Sequence, residues 1–255
     1  MSSQKRPLLF KSISIRTVLP SVVTLFAFMS GLTSIKFALS GKWELAVGAV
    51  LLAGIFDGLD GTVARLLKST SKFGAELDSL SDVVAFGVAP AVILYLWVLE
   101  GLDRMGWAVA LIYASAMALR LARFNARLDD EEEPIKRTGF LTGVPAPMGA
   151  GLLLLPMMID FALGQNLAKE NGLIICGYAI VVVFLMVSTL PTLSLKALRA
   201  PKAWFVPLLV VIATLIAGLF VRTWLVLIII GVGYLATMPL TYISYRRRVE
   251  RKTRG

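Results

Sequence analysis

Histidine is absent from the 255 residues of this chain, and Cys176 is its single cysteine. Without imidazole there is no His-based triad, no histidine general base and no His-ligated metal. One thiol cannot close an intrachain disulfide or a thiolate zinc site, and the apolar neighbours of Cys176 predict a buried, inert side chain. Charge is scarce as well: 16% of the residues are charged against 57% hydrophobic, and the mean hydropathy is +0.79. These values exclude an ordinary soluble domain and predict an integral membrane protein. Polar chemistry must come from carboxylates, Arg and Lys, hydroxyls and amides. The formal net charge of +10 then bears on the side of the bilayer that holds the basic residues, and nucleic acid is not an expected partner.

What the chain does have is long apolar runs. Stretches of about 20 residues, enough for a helix to cross roughly 30 Å of hydrocarbon, occur near 19–39, 43–66, 74–99, 106–126, 143–163, 171–190, 204–220 and 223–243. The runs are continuous and lack the period of two that a barrel strand requires, so the expectation is an all-α polytopic bundle of about eight spans. The turn at Arg222 is tight enough that six or seven spans stay open. With both termini in the cytoplasm, 21 of the 26 basic residues fall on one face of the membrane, a positive-inside asymmetry that also favours an even number of spans.

The organisation read from the sequence is a cytoplasmic amphipathic segment over 1–18, a membrane domain over 19–243 and a basic cytoplasmic tail over 244–255. Lys5–Arg16 mixes basic residues with Leu8, Leu9, Phe10, Ile13 and Ile15, a pattern suited to an anionic lipid surface. The connection 127–142 carries Asp129, Asp130, Glu131, Glu132 and Glu133, which reads as a solvated acidic loop because it lacks the ordering glycines and ligand spacing of a metal loop.

The informative residues are acids inside apolar segments, where each charge costs at least about 2.5–3.5 kcal/mol. Asp57 and Asp60 end the second stretch and Asp78 and Asp82 begin the third. Spacings of i, i+3 and i, i+4 place each pair on one helix face, and a short basic loop makes the two helices antiparallel neighbours. Four ionised carboxylates at similar depth need protons or cations. Two hard divalent ions, Mg2+ or Mn2+, would balance them with oxygen ligands alone and leave a centre able to accept phosphates. Gly61, Ala64 and Gly74 remove bulk beside the acids, for close helix packing or for a flat ligand, and Arg65, Lys68 and Lys72 supply cations at the rim.

These positions satisfy D-x2-D-G-x2-A-R-x8-G-x3-D-x3-D as Asp57, Asp60, Gly61, Ala64, Arg65, Gly74, Asp78 and Asp82. Eight fixed residues match by chance at about 10⁻¹⁰ per start site. The pattern resembles that of the CDP-alcohol phosphotransferases. Leu77–Pro90 (LDSLSDVVAFGVAP), Arg120–Asn125 (RLARFN) and Phe140–Pro147 (FLTGVPAP) extend the resemblance toward the bacterial-type phosphatidylserine synthases.

The resemblance implies attack of an alcohol on the β-phosphorus of CDP-diacylglycerol, releasing CMP. It implies that Asp57, Asp60, Asp78 and Asp82 ligate the divalent ions and that Asp82 also accepts the hydroxyl proton. It further implies that Gly61, Arg65 and Ser71 contact the cytidine diphosphate, that Thr24 closes over it, and that the protein is a homodimer. The family often has Pro-Asn where this chain has Pro20-Ser21. L-serine is the expected acceptor, since Ser79 and Val83 stand where relatives that make phosphatidylglycerophosphate usually carry Pro and Lys. Arg120, Arg123 and Asn125 could hold the serine carboxylate, a role that phosphate-bearing acceptors would also use and that helix-end anchoring equally explains. A cation or proton transporter is the reading from another class. It predicts acids reaching toward both sides of the membrane, whereas only Asp160 lies near the far interface.

Overall fold

The computed structural model describes residues 15–69, 71–126, 141–188, 191–192 and 205–253. The Lys5–Arg16 amphipathic segment lies almost wholly outside them, as do Thr70, Asp129–Glu133 and Phe140. Helix α1 (Ile15–Leu39) pairs along its length with antiparallel α2 (Trp43–Leu66), and the Ser30 hydroxyl donates to the Ala49 carbonyl at 2.8 Å across the interface. The next apolar stretch is expected as one continuous helix, but it is compound. It comprises α3 (Lys72–Asp82), a π-helical segment (Val83–Val88) and α4 (Ala89–Trp97). A single 3-10 turn (Leu99–Leu102) leads into α5 (Asp103–Ala126).

The chain continues through β1 (Leu141–Thr142), α6 (Ala146–Leu153), α7 (Leu155–Leu163), α8 (Leu167–Glu170), α9 (Gly172–Val187) and β2 (Pro191–Thr192). It closes with α10 (Phe205–Val221) and α11 (Thr223–Thr253). An all-helical reading omits one detail: Leu141 pairs with Thr192 and Thr142 with Pro191 in a two-residue antiparallel ladder. α11 is helical beyond the expected end at 243, so the segment expected as a tail is largely a continuation of that helix.

The protein is a polytopic helical membrane protein. Among the described residues, four helices are long and apolar enough to cross a bilayer: Val18–Leu39, Trp43–Leu66, Lys72–Trp97 and Leu99–Ala126. α6 and α7 would make a fifth crossing, bent by 48° where Pro156 follows Leu155 and removes a backbone donor. The remaining candidates coincide with shorter apolar helices, Gly172–Val187, Val206–Val221 and Thr223–Met238. Leu, Ile and Val side chains exposed along α1, α10 and α11 belong against hydrocarbon rather than water.

The core is centred on Phe86, Ile93, Leu94, Tyr113, Met117 and Leu152–Leu154, all essentially inaccessible. Two glycines let backbones close on the π segment. A Cβ on Gly31 of α1 would stand 2.7 Å from the Ala85 Cα, and one on Gly87 would stand 3.1 Å from Met117 of α5. Cys176 is buried in this core as expected. Asp160, the acid remote from the others, is a cap: its carboxylate accepts the backbone N–H groups of Ala168 at 3.0 Å and Lys169 at 3.1 Å.

Candidate active site

The site begins with how α2 stops. The Ser69 N–H bonds back to the Ala64 carbonyl at 3.0 Å and the Lys68 N–H to that of Arg65 at 3.2 Å, while Lys68 takes a left-handed φ of 50°. This is the Schellman arrangement, here without its usual glycine. Ser71 then caps α3, its hydroxyl accepting the Gly74 N–H at 3.0 Å. The reversal is short enough to bring the end of α2 face to face with the start of α3.

On the facing surfaces, Asp57, Asp60 and Asp78 offer carboxylate oxygens that all lie within 4.8 Å of one another. Asp60 is buried and the other two are half-buried. Asp82 sits one turn along α3 from Asp78, at the end of that helix and outside the group of three. α1 supplies a third wall. Its Thr24 hydroxyl donates to Asp60 Oδ2 at 2.6 Å, and the Ser81 hydroxyl donates to the Thr24 carbonyl at 3.3 Å, so α1 and α3 are tied on either side of the acid.

A cavity of about 150 Å³ opens beside the acids. Pro20, Ser21 and Thr24 line it from α1, Asp60, Gly61 and Ala64 from α2, Ser69 and Ser71 from the connection, and Gly74, Ala75 and Asp78 from α3. A side chain at Gly61 would find no atom within 4 Å and would project into open space. Gly74 is close-fitting instead, with its missing Cβ 3.1 Å from Ser71 Oγ.

Five of the six residues expected at the donor nucleotide, Thr24, Gly61, Ala64, Ser71 and Gly74, therefore share one cavity wall with two of the acids. Arg65 does not line it; this exposed side chain reaches Thr62 Oγ1 at 3.5 Å. Ser69 was not singled out in the sequence, yet its hydroxyl is buried in the lining without a partner among the described residues. Only the clustering of Ser69-Thr70-Ser71 at the helix reversal signals it. Ser21, replacing the family's asparagine, also faces the cavity.

The residues expected at the acceptor separate. Arg120 is carried by α5, and its buried Nε has no hydrogen-bond partner among the described residues. Arg123 Nη1 donates to the Val187 carbonyl at 2.9 Å, and Asn125 Nδ2 donates to Ser79 Oγ at 2.8 Å. Arg123 thus ties α5 to α9, and Asn125 ties α5 to the acidic helix.

The cluster fits hard divalent cations. It offers carboxylate oxygens with neither thiolate nor imidazole, and their mutual separation within 4.8 Å leaves like charges that a cation would balance. A family model described as CDP-alcohol phosphatidyltransferase matches residues 17–184. The chain belongs to this family. Curated relatives carry the name CDP-diacylglycerol–serine O-phosphatidyltransferase. That of Mycobacterium tuberculosis is 36% identical over 90% of this chain and 79% of its own length. That of Helicobacter pylori is 35% identical over 80% of this chain and 81% of its own. A third, from Methanocaldococcus jannaschii, is 42% identical over 52% of this chain and 56% of its own. The matched region contains every acid of the cluster and the whole cavity lining.

Proposed function

We propose that this protein transfers the phosphatidyl group of CDP-diacylglycerol to the hydroxyl of L-serine, forming phosphatidylserine and CMP. The observation that carries this reading is the meeting of the α2 and α3 acids beside a small-residue cavity within the apolar span. The names of the relatives, which cover most of this chain, support serine as acceptor.

Asp57, Asp60, Asp78 and Asp82 would hold Mg2+ or Mn2+, two ions balancing four negative charges, and bound ions would neutralise the diphosphate and stabilise the leaving oxygen. The cavity walls at Gly61, Ala64 and Gly74 admit the cytidine diphosphate, with Ser69, Ser71 and Thr24 as hydroxyl partners and Arg65 at its rim. Asp82 accepts the serine hydroxyl proton as the serine oxygen bonds to the β-phosphorus and the bond to the CMP oxygen breaks. Arg120 would pair with the serine carboxylate, a role supported by its buried Nε having no partner among the described residues.

The same reading has eight crossings, both termini in the cytoplasm and the site opening to the inner leaflet of a bacterial inner membrane. Its support is the concentration of 21 of 26 basic residues on one side. A lipid-anchored donor then enters from the membrane and serine from the cytosol. Homodimeric assembly follows the family it resembles.

The test is CMP release by purified protein in detergent or lipid, with CDP-diacylglycerol and a divalent ion, against separate acceptors. Release with serine and not with glycerol 3-phosphate, inositol, inositol phosphate or choline is expected. Release with another acceptor alone would remove serine while keeping the transfer chemistry.

A further inference from the structure

The segment Phe86-Gly87-Val88-Ala89-Pro90 follows the acidic face without contributing a ligand to it. Its structure explains what it does. In a regular α-helix the carbonyl of Phe86 would receive the N–H of residue 90, and proline has none. The helix widens at this point: residues Val83–Val88 are π-helical, and the Ala89 N–H bonds to the Val84 carbonyl five residues back. Tyr113 of α5 completes the arrangement by donating its hydroxyl to the Phe86 carbonyl at 3.0 Å. Both residues are at most 1% exposed, so no water competes for this bond.

The π segment starts at the residue after Asp82. One extra residue in a helix turns everything before it by about 100° relative to everything after it. Straightening the segment would therefore rotate the Asp82 face against the packed face of α4. Arg120 lies two turns from Tyr113 on the same face of α5, and Asp82 lies one turn from Phe86. The Tyr113–Phe86 bond joins the two elements at the point from which these two side chains are hung.

We infer that Tyr113 and Pro90 are positioning residues: together they hold the π-turn that aims Asp82 at the acceptor hydroxyl and keeps it in register with Arg120. The inference rests on the phosphatidyl transfer proposed above. It concerns the acceptor half of the site only, because the donor cavity is built from α1, α2, α3 and their connection, without α5.

The experiment compares wild type, Tyr113→Phe and Tyr113→Phe/Pro90→Ala for steady-state kinetics with both substrates and for thermal unfolding. In the double variant the new backbone N–H can satisfy Phe86 while releasing the π-turn. Tyr113→Phe is expected to lower kcat/KM for serine tenfold or more per folded molecule, with the donor KM within about twofold. The double variant is expected to regain melting temperature and remain slow with serine. Wild-type kcat/KM for serine in Tyr113→Phe, an equal loss on the donor side, or recovery of turnover in the double variant would overturn the inference, leaving Tyr113 a structural hydrogen-bond donor. If Tyr113→Phe does not fold, the double variant alone decides by the same two kinetic parameters. Failure of wild type to use serine would instead strike the proposed function.

Discussion

The Thr24 hydroxyl donates a 2.6 Å hydrogen bond to Asp60 Oδ2, joining α1 to the acid cluster between α2 and α3. The same hydroxyl stands 3.1 Å from the Pro20 carbonyl, an alternative acceptor within α1. One proton serves one partner at a time, and the charged carboxylate is the stronger acceptor. Thr24 thereby fixes which Asp60 oxygen faces the site. Thr24→Val is expected to raise the Mn2+ concentration needed for half-maximal CMP release by about 10-fold or more, as loss of an orienting partner does at metal sites. Thr24→Ser, which keeps the hydroxyl, should stay close to wild type.

Asp57→Asn and Asp78→Asn remove ligands and should abolish turnover in protein that still inserts. Each also removes one of several crowded like charges. Melting temperature without divalent ion should therefore be unchanged or higher, and the stabilisation by added Mn2+ should shrink. Wild-type turnover across Mg2+ and Mn2+ titrations would remove these acids from the metal site.

Asp82→Asn separates binding from chemistry. Donor binding in the presence of Mn2+, measured by calorimetry with CDP-diacylglycerol in detergent, should survive in part, while CMP release with serine falls by about 10²–10⁴. Unchanged turnover would exclude Asp82 as the base.

Gly61 faces open space, so a larger residue there costs the fold little and the ligand much. Gly61→Val is expected to preserve melting temperature to within a few degrees and to raise the donor KM about 10-fold or more, an effect absent from the serine KM.

Asp160 supplies the opposite contrast. It is a buried acid too, but it caps α8 by accepting two backbone N–H groups. Asp160→Ala should destabilise by about 1–2 kcal/mol, read as a lower melting temperature, and leave kcat per folded molecule unaltered. A loss of turnover without loss of stability would reopen an ion-path role.

The acids were legible because a buried charge is costly enough to require a purpose, and helical spacing alone puts Asp57 with Asp60 and Asp78 with Asp82. The small residues were legible for the same reason, as missing bulk beside those acids. Arg65 follows the lining residue Ala64 in sequence, but its exposed side chain does not itself line the cavity, a distinction that spacing alone does not draw. Arg123 and Asn125 share a helix end with Arg120, but their partners lie on α9 and α3, contacts that no local pattern encodes. The π segment escaped because its hydrophobic run reads as an unbroken helix. The missing donor of Pro90 was visible, but the Tyr113 hydroxyl that answers it comes from another span. The break between α6 and α7 was hidden in the same way, since Pro156 sits within a run long enough to cross the membrane unbent.

The most direct measurement is transfer of labelled serine into the lipid phase by purified protein supplied with CDP-diacylglycerol, comparing wild type with Asp78→Asn, each with Mn2+ and with chelator. The expected result is labelled phosphatidylserine and equimolar CMP from wild type with the ion, and neither product in the other three conditions. Label incorporation by Asp78→Asn or under chelation at the wild-type rate would contradict the acid cluster as the catalytic centre, and CMP without labelled lipid would contradict serine as the acceptor.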